Sequence, residues 1–414
     1  MQTHLASWIK GTPEGEQAEE ILRRCVHCGF CQATCPTYQE LGDELDSPRG
    51  RIYLIKEMLE GREVGESTQL HLDRCLTCRN CETTCPSGVE YGKLVDIGRA
   101  VVAKKVERPF GERLLRSVLR KGLTSPLFGP AMAFGRVVRP LLPKTLRDKV
   151  PARQPSRPLP TGTDRHPRQV IMLQGCVQPA MMPAIDEATI RVLDVVGIGT
   201  RVVPGAGCCG AINFHLDAHE QALAQMRNNI DVWWPLLDRG EAECIVANAS
   251  GCGAMLREYA HHLRNDVVYA EKAKALSAAV RDVSELLVPH AAKLRAQLGG
   301  ITGRYAFHPP CTLQHWQKLR GVTEVVLRDL GFQLAPFTES HLCCGSAGTY
   351  SITQRDISVG LRDRKLGKIH AAQPDVIVSS NIGCITHLQS GTQVPVKHWI
   401  EVVDDALASA SPLQ

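Results

Sequence analysis

Aromatic side chains are scarce: phenylalanine, tryptophan and tyrosine together make up 5% of the 414 residues. With no aromatic interleaving of basic residues and no recognised binding motif, nucleic acid is not an expected partner. No run approaches the ~18 consecutive apolar residues of a membrane span, so no transmembrane segment is expected. The opening stretch MQTHLASWIKGTPEGEQ has no apolar core behind a basic start and is not read as a secretory signal. A cytoplasmic location is therefore expected, with thiols kept reduced instead of paired as disulfides. A formal net charge of only +5 does not make the whole molecule a polyanion binder. Flavin and nicotinamide motifs, a catalytic triad and a paired acid–base constellation are also missing, so no catalytic residue is assigned.

Cysteine is what the chain has in excess. Seventeen are present, eight of them in the first 85 residues. Residues 25–36 read CVHCGFCQATCP and residues 75–86 read CLTCRNCETTCP, both of the form C-x2-C-x2-C-x3-C-P. Three cysteines at three-residue intervals let one loop wrap its thiolates around a face of an iron–sulfur cube. The fourth, before proline, points away, and in bacterial two-cluster ferredoxins it ligates the other cluster. Carried over on that pattern, cluster 1 takes Cys25, Cys28, Cys31 and Cys85, and cluster 2 takes Cys75, Cys78, Cys81 and Cys35. Gly29, Ala33, Ser87 and Gly88 are small enough to let backbone N–H groups approach the sulfurs. Structural zinc also uses C-x2-C pairs, but gains nothing from a third step and a trailing proline.

Around the ladders, GEQAEEILRR, PRGRIYLIKEMLE and STQLHLDR place apolar residues three and four apart among strong helix formers, with Gly61 available to end the middle helix. This predicts an all-α two-cluster ferredoxin module over residues 1–110. From Arg99 to Arg168, 17 Lys/Arg face four Asp/Glu, leaving a net of about −8 on the rest of the chain. Nine prolines fall between Pro126 and Pro167. Residues 111–168 are thus expected to form a basic, Pro-rich connecting segment, either a solvated linker or a docking surface for an acidic subunit or anionic lipid.

The remainder is written twice. Cys176 recurs as Cys311 and Cys208-Cys209-Gly210 as Cys343-Cys344-Gly345, both at an offset of 135 residues, and Cys252 recurs as Cys384 at 132. Gly205-x-Gly207-x-x-Gly210 has the form of a dinucleotide fingerprint. The second copy, SHLCCGSAG, keeps only the Cys-Cys-Gly, and no acidic residue ends a second strand about 20 residues on, so the match is accidental. The strands RQVIMLQ, TRVVP, ECIVANA, YAFH, FQLAPF and DVIVSS alternate with helical runs. Two repeated α/β cysteine-rich (Cys-Cys-Gly) units, 169–300 and 301–414, with parallel sheets are expected, their cysteines at the carboxyl ends of strands. Cys176, Cys208, Cys209, Cys252, Cys311, Cys343, Cys344 and Cys384 are candidates for further metal, iron–sulfur or zinc, or for redox chemistry. Cys244, which Val376 replaces in the second copy, reads as a core residue, and His215, His219, His261 and His262 as helix-surface groups.

On CVHCGFCQATCPTY, DSPRGRIYLIKEM, CLTCRNCETTCPSGVEYG, GAGCCGA, HPPCTLQH, LCCGSAGTYSI and SSNIGCITHL, the chain resembles the iron–sulfur subunits of bacterial glycolate oxidase (glycolate dehydrogenase) over essentially its whole length. It is similar in architecture to the anchor subunit of anaerobic glycerol-3-phosphate dehydrogenase and to heterodisulfide reductase subunits. The resemblance implies an electron-transfer subunit with two flavoprotein-type partners. One of them would oxidise glycolate to glyoxylate at FAD, which is expected only on the partners. It further implies electrons passed towards the quinone pool, and a peripheral position at the inner face of the cytoplasmic membrane. Oxidation of glycerol-3-phosphate or D-lactate is the alternative. So is thiol–disulfide chemistry of the heterodisulfide reductase kind, although there each unit ends in C-x-x-C. Here Met255 and His387 stand in the places of the added cysteines. His387 remains a possible metal ligand.

Overall fold

The computed structural model describes residues 1–141, 143, 150–151 and 157–410. The chain forms two compact units, each discontinuous in sequence: Met1–Leu115 with Glu339–Lys365, and Arg116–Thr338 with Leu366–Gln414. This partition cuts across the boundaries at 110, 168 and 300 suggested by the repeats.

The first unit contains helices and no strand among its described residues. Its helices form where the sequence expects them, for local reasons. Thr12 caps Pro13–Arg24 by accepting from the Gly15 N–H at 3.1 Å, with Glu14 and Glu16 in the first turn and Arg23 and Arg24 in the last. Ser47 caps Pro48–Leu59 through the Gly50 N–H at 3.0 Å. That helix stops at Gly61, at φ +96°, where the Arg62 N–H returns to the Glu57 carbonyl at 3.0 Å. Ile21, Leu22, Ile55, Leu59 and Leu94 are buried against one another. Gly98 on the helix Tyr91–Lys105 lets the Pro48–Leu59 helix approach closely, since a Cβ there would lie 2.8 Å from Ile55 Cγ1.

Glu339–Lys365 joins this unit through specific bonds. The Tyr350 hydroxyl donates to the Arg74 carbonyl at 2.9 Å, and Asn80 Nδ2 donates to the carbonyls of Thr34 (3.0 Å) and His341 (3.3 Å).

The second unit holds two four-stranded parallel sheets. The first comprises β1 (Arg168–Met172), β2 (Ile198–Arg201), β3 (Cys244–Ala247) and β4 (Val280–Asp282), in the order β2-β1-β3-β4. The second comprises β5 (Arg304–His308), β6 (Gln333–Leu334), β7 (Val376–Ser379) and β8 (Val396–His398), in the equivalent order β6-β5-β7-β8. The six predicted strands are present, β2 beginning two residues earlier and β6 cut to two residues. The edge strands β4 and β8 were not expected. Each is three residues long, too short to carry a period of its own. Cys244 is buried within β3, as expected of a core residue.

The two sheets are tied by buried polar bonds. The Ser250 N–H donates to the Ser380 carbonyl (3.0 Å), His398 Nε2 lies 2.8 Å from the Asn248 carbonyl, and Arg191 Nη2 pairs with Asp404 at 2.8 Å. Part of the expected connecting segment lies outside the described residues. The rest carries two helices, Phe110–Leu123 and Phe128–Val138. Its arginines are not all solvated: Arg116 is buried and pairs with Asp217 at 2.9 Å, and Arg136 donates to the Ala180 and Met181 carbonyls at 2.6 and 2.9 Å.

Asp186 lies in this network, 4% exposed. Its Oδ1 accepts from Gln178 Nε2 (2.7 Å) and Asn248 Nδ2 (2.9 Å), while Oδ2 is buried with no hydrogen-bond partner. Burial pushes its carboxyl up from 3.8 to about 6. A raised carboxyl pKa means the folded state binds more protons than the unfolded one. Its contribution is therefore complete below about pH 4 and lost as pH climbs to about 6, by roughly 2–3 kcal/mol. Asp186→Asn keeps the accepting oxygen and removes the charge. The unfolding midpoint of the variant relative to the parent should rise between pH 4 and 6 and then level off. A difference flat across that range would refute the assignment.

Candidate metal centres

The two front ladders fold as copies of one another. The third residue of each CxxC, His27 and Thr77, takes a left-handed conformation (φ 55° and 49°). So does the residue after each second cysteine, Gly29 at 83° and Arg79 at 58°. These turns direct the peptide N–H of His27 at Cys25 and that of Thr77 at Cys75 Sγ, the latter at 3.4 Å. The donors are thus larger residues than the glycines the sequence singles out, held at a backbone geometry non-glycine residues rarely adopt.

Two cavities open between the ladders. One is lined by Cys25, Cys28, Cys31, Cys85 and also Cys81, which lines both. The other is lined by Cys35, Cys75, Cys78 and Cys81. Each fourth cysteine, preceding Pro36 or Pro86, therefore faces the cavity of the opposite ladder. All seventeen cysteines are free thiols. Burial pushes the thiols of Cys25, Cys35 and Cys81 up, and that of Cys31 to about 11. Left to themselves these groups would be neutral. Convergent buried sulfurs with no disulfide fit a thiolate-bound metal group, whose charge would deprotonate them.

The second cavity has polar walls. Arg51, 1% exposed, donates from Nε to the His71 carbonyl (2.7 Å), from Nη1 to Thr37 Oγ1 (3.0 Å) and from Nη2 to Asp46 Oδ1 (3.2 Å). Asp46, fully buried, also pairs with Arg74 Nη1 (2.9 Å) and His71 Nδ1 (3.0 Å). Thr37 Oγ1 lies 3.3 Å from Cys35 Sγ, and the Tyr91 hydroxyl donates to Cys75 Sγ at 3.6 Å. Sequence reasoning missed these residues: Arg51 and Asp46 sit in DSPRGRIY, whose helical pattern reports only its apolar face.

In the first repeated unit, Cys176 follows β1, Cys208-Cys209 follow β2 and Cys252 follows β3, beyond the carboxyl ends of neighbouring strands. The structure brings the four together: Cys208 hydrogen-bonds with Cys176 and Cys209, and Cys209 with Cys252. Cys176 and Cys209, together with the N–H groups of Gly210 and Ile212, hold the Cys208 thiol well below its usual range, while Cys176 and Cys209 are pushed up. Asn229 Nδ2 and the Tyr259 hydroxyl fix the turn by donating to the Cys208 and Cys209 carbonyls, each at 2.9 Å.

The glycine that follows has a steric reason in both copies. Gly210 and Gly345 sit at φ +95° and +89°. A Cβ would lie 3.2 Å from the Ala222 carbonyl oxygen in one and 2.4 Å from that of Ser358 in the other. Gly205-x-Gly207 serves this turn, the Gly207 N–H donating to Asn229 Oδ1 at 2.9 Å.

In the second copy, Cys311 and Cys384 follow β5 and β7 in the second unit, while Cys343 and Cys344 lie in the segment that belongs to the first. The Gly345 N–H approaches Cys343 Sγ at 3.4 Å. The histidine near Cys384 as a potential ligand is His308, at the end of β5. It is fully buried, with a ring nitrogen within 4.8 Å of Cys384 Sγ. His387, suggested by its place after Cys384, joins no such group among the described residues. HPPC carried the signal for His308, three residues before Cys311, where the first copy has Leu173. His215, His219, His261 and His262 are half-buried and not surface groups. His219 and His262 pack on Phe214, with ring centroids 4.7 and 4.4 Å away.

Residues 21–89 match the 4Fe-4S dicluster domain, and residues 170–257 and 305–389 each match the cysteine-rich domain. The glycolate oxidase iron-sulfur subunit of Escherichia coli K12 is 52% identical over 98% of this chain and 99% of that protein. The probable glycolate oxidase iron-sulfur subunit of Bacillus subtilis is 29% identical over 91% of this chain and 90% of its own length. Lactate utilization protein A of Geobacillus kaustophilus is 26% identical over 57% of this chain and 98% of that protein. Two cysteine ladders serving two cavities, followed by a duplicated Cys-Cys-Gly unit, agree with these matches along the full length, and the chain belongs to the family of glycolate oxidase iron–sulfur subunits.

Proposed function

We propose that this chain is the electron-transfer subunit of a flavin-dependent complex that oxidises glycolate to glyoxylate and passes electrons towards quinone. The observation that carries this reading is the convergence of the ladder cysteines on two cavities, each fourth cysteine lining the cavity of the opposite ladder. Cys25, Cys28, Cys31 and Cys85 would hold one [4Fe-4S] cluster, and Cys75, Cys78, Cys81 and Cys35 the other. When bound, such clusters store and exchange single electrons with little rearrangement, which suits a relay from a two-electron flavin. The protein's own part is to supply thiolates, exclude water with Ile52, Leu76, Val89 and Tyr91 along the cavity walls, and orient sulfurs by N–H and O–H bonds. Cys176, Cys208, Cys209 and Cys252 form a further metal or redox site. Cys311 and Cys384 repeat two of those positions in the second unit, with His308 as an added donor.

Two flavoprotein-type subunits would bear the FAD. No helix among the described residues is long and apolar enough to cross a membrane. Contact with the anionic face of the cytoplasmic membrane would instead fall to the basic segment, whose helices expose Phe110, Leu114, Val118, Leu127, Phe134 and Val137 beside Arg113 and Lys121. The likeness to lactate utilization proteins favours lactate as the second substrate reading.

Anaerobic purification of the full chain with the chains it binds tests the proposal. The complex should contain flavin that glycolate bleaches, and should float with anionic vesicles but not zwitterionic ones. Flavin reduced by D-lactate and untouched by glycolate would overturn the substrate; flotation indifferent to lipid charge would overturn the docking face.

A further inference from the structure

We propose that Arg51 and Arg74, clamped by the buried carboxylate of Asp46, make the cluster of the second ladder the higher-potential of the two, so that an electron entering the front module comes to rest there. The inference rests on the ligand sets proposed above and concerns what surrounds them. Reduction adds one negative charge to a cluster, so fixed positive charge nearby favours the reduced form. The effect is large where water and salt cannot screen it.

The two ladders, matched at their 50-residue offset, differ in this respect. Arg24 and Arg74 occupy equivalent positions before the first cysteine. Arg24 pairs with Glu20 and Glu90, whose side chains are 65% and 42% exposed. Arg74 pairs with Asp46, which is fully buried and shared with Arg51. Arg99 Nη2 adds a bond to the Cys75 carbonyl at 2.6 Å.

The Arg51–Asp46–Arg74 group therefore carries an uncompensated positive charge, one guanidinium bonded to Thr37, which itself touches Cys35 Sγ. At the first cavity Arg49 is neutralised by Glu44 at 2.8 Å, with side chains 35% and 44% exposed. The Met1 ammonium also lies there, at the Cys25 carbonyl (2.9 Å). Hydrogen bonds act in the same sense, since Cys75 Sγ receives both the Thr77 N–H and the Tyr91 hydroxyl. With both clusters bound, Arg51 and Arg74 would favour the extra electron at the one held by Cys75, Cys78, Cys81 and Cys35, the other being oxidised as it is reduced.

A purely structural role for the ion network, pinning the Pro48–Leu59 helix to the loop before Cys75, would leave the order of potentials free. Redox titration followed by electron paramagnetic resonance on the full, iron-loaded chain separates the two. The higher potential should belong to the cluster lost in Cys35→Ser. Arg74→Gln should lower that potential alone, by at least a tenfold change in its reduced-to-oxidised ratio, or ~59 mV for one electron. Asp46→Asn should raise it, and Arg51→Lys should leave it in place. Two outcomes overturn the inference: the higher potential belonging to the cluster of the Cys25 loop, or Arg74→Gln and Asp46→Asn moving both potentials together. Loss of the Cys25-loop cluster in Cys35→Ser would instead overturn the ligand sets, whatever the potentials.

Discussion

Replacing Cys35 with serine should strip iron from the site of the ladder that begins forty residues later and spare the site of its own. Cys35 lines the cavity of Cys75, Cys78 and Cys81, and the turn into Pro36 carries it there. Serine cannot replace a thiolate as a ligand of comparable softness. Anaerobic iron analysis should therefore show the front module falling from about eight irons towards four, with one set of cluster signals retained. Cys85→Ser should give the complementary loss. If Cys35→Ser alters only the signals that Cys28→Ser also alters, the crossing is wrong and each ladder is self-contained.

Metal content is the second large effect. If the first repeated unit is a metal site, anaerobically purified chain should carry more than the eight irons of the front module, or zinc in addition. A double replacement of Cys208 and Cys209 by alanine should return it to eight. Four thiols linked by hydrogen bonds, that of Cys208 lowered by Cys176, Cys209 and two N–H groups, form a convergent sulfur donor set. Wild-type protein with eight irons and no zinc would confine the clusters to the front module and leave these cysteines as redox thiols.

The ladders were legible because the spacing of thiols around a cube is itself the chemistry, so four residue types in order imply the loop. The Cys-Cys-Gly glycine was legible as a repeat. Its cause, a positive φ with a following helix close by, needed Ala222 and Ser358 in place. Edge strands as short as Val280–Asp282 leave no periodic signal, and their pairing is decided by the sheet they complete. Asp46 reads in sequence as an ordinary acidic turn residue. Only the return of His71 and Arg74, 25 and 28 residues later, makes it a buried hub. The half-buried histidines around Phe214 were misread for the same reason: helical spacing places them on a helix but says nothing of what that helix meets.

The discontinuity of the first unit bears on how the protein comes to exist. A ribosome finishes the ladders early, yet the strip bearing Tyr350 and His341, which bonds to Arg74 and Asn80, emerges roughly 250 residues later. At translation rates of about 5–20 residues per second, the nascent front waits on the order of ten to fifty seconds for its last piece. During that interval the Arg74 carbonyl and the Asn80 side chain lack the partners that the strip supplies. Completion of this unit is thus tied to completion of the chain, and prematurely terminated products would lack the closing strip.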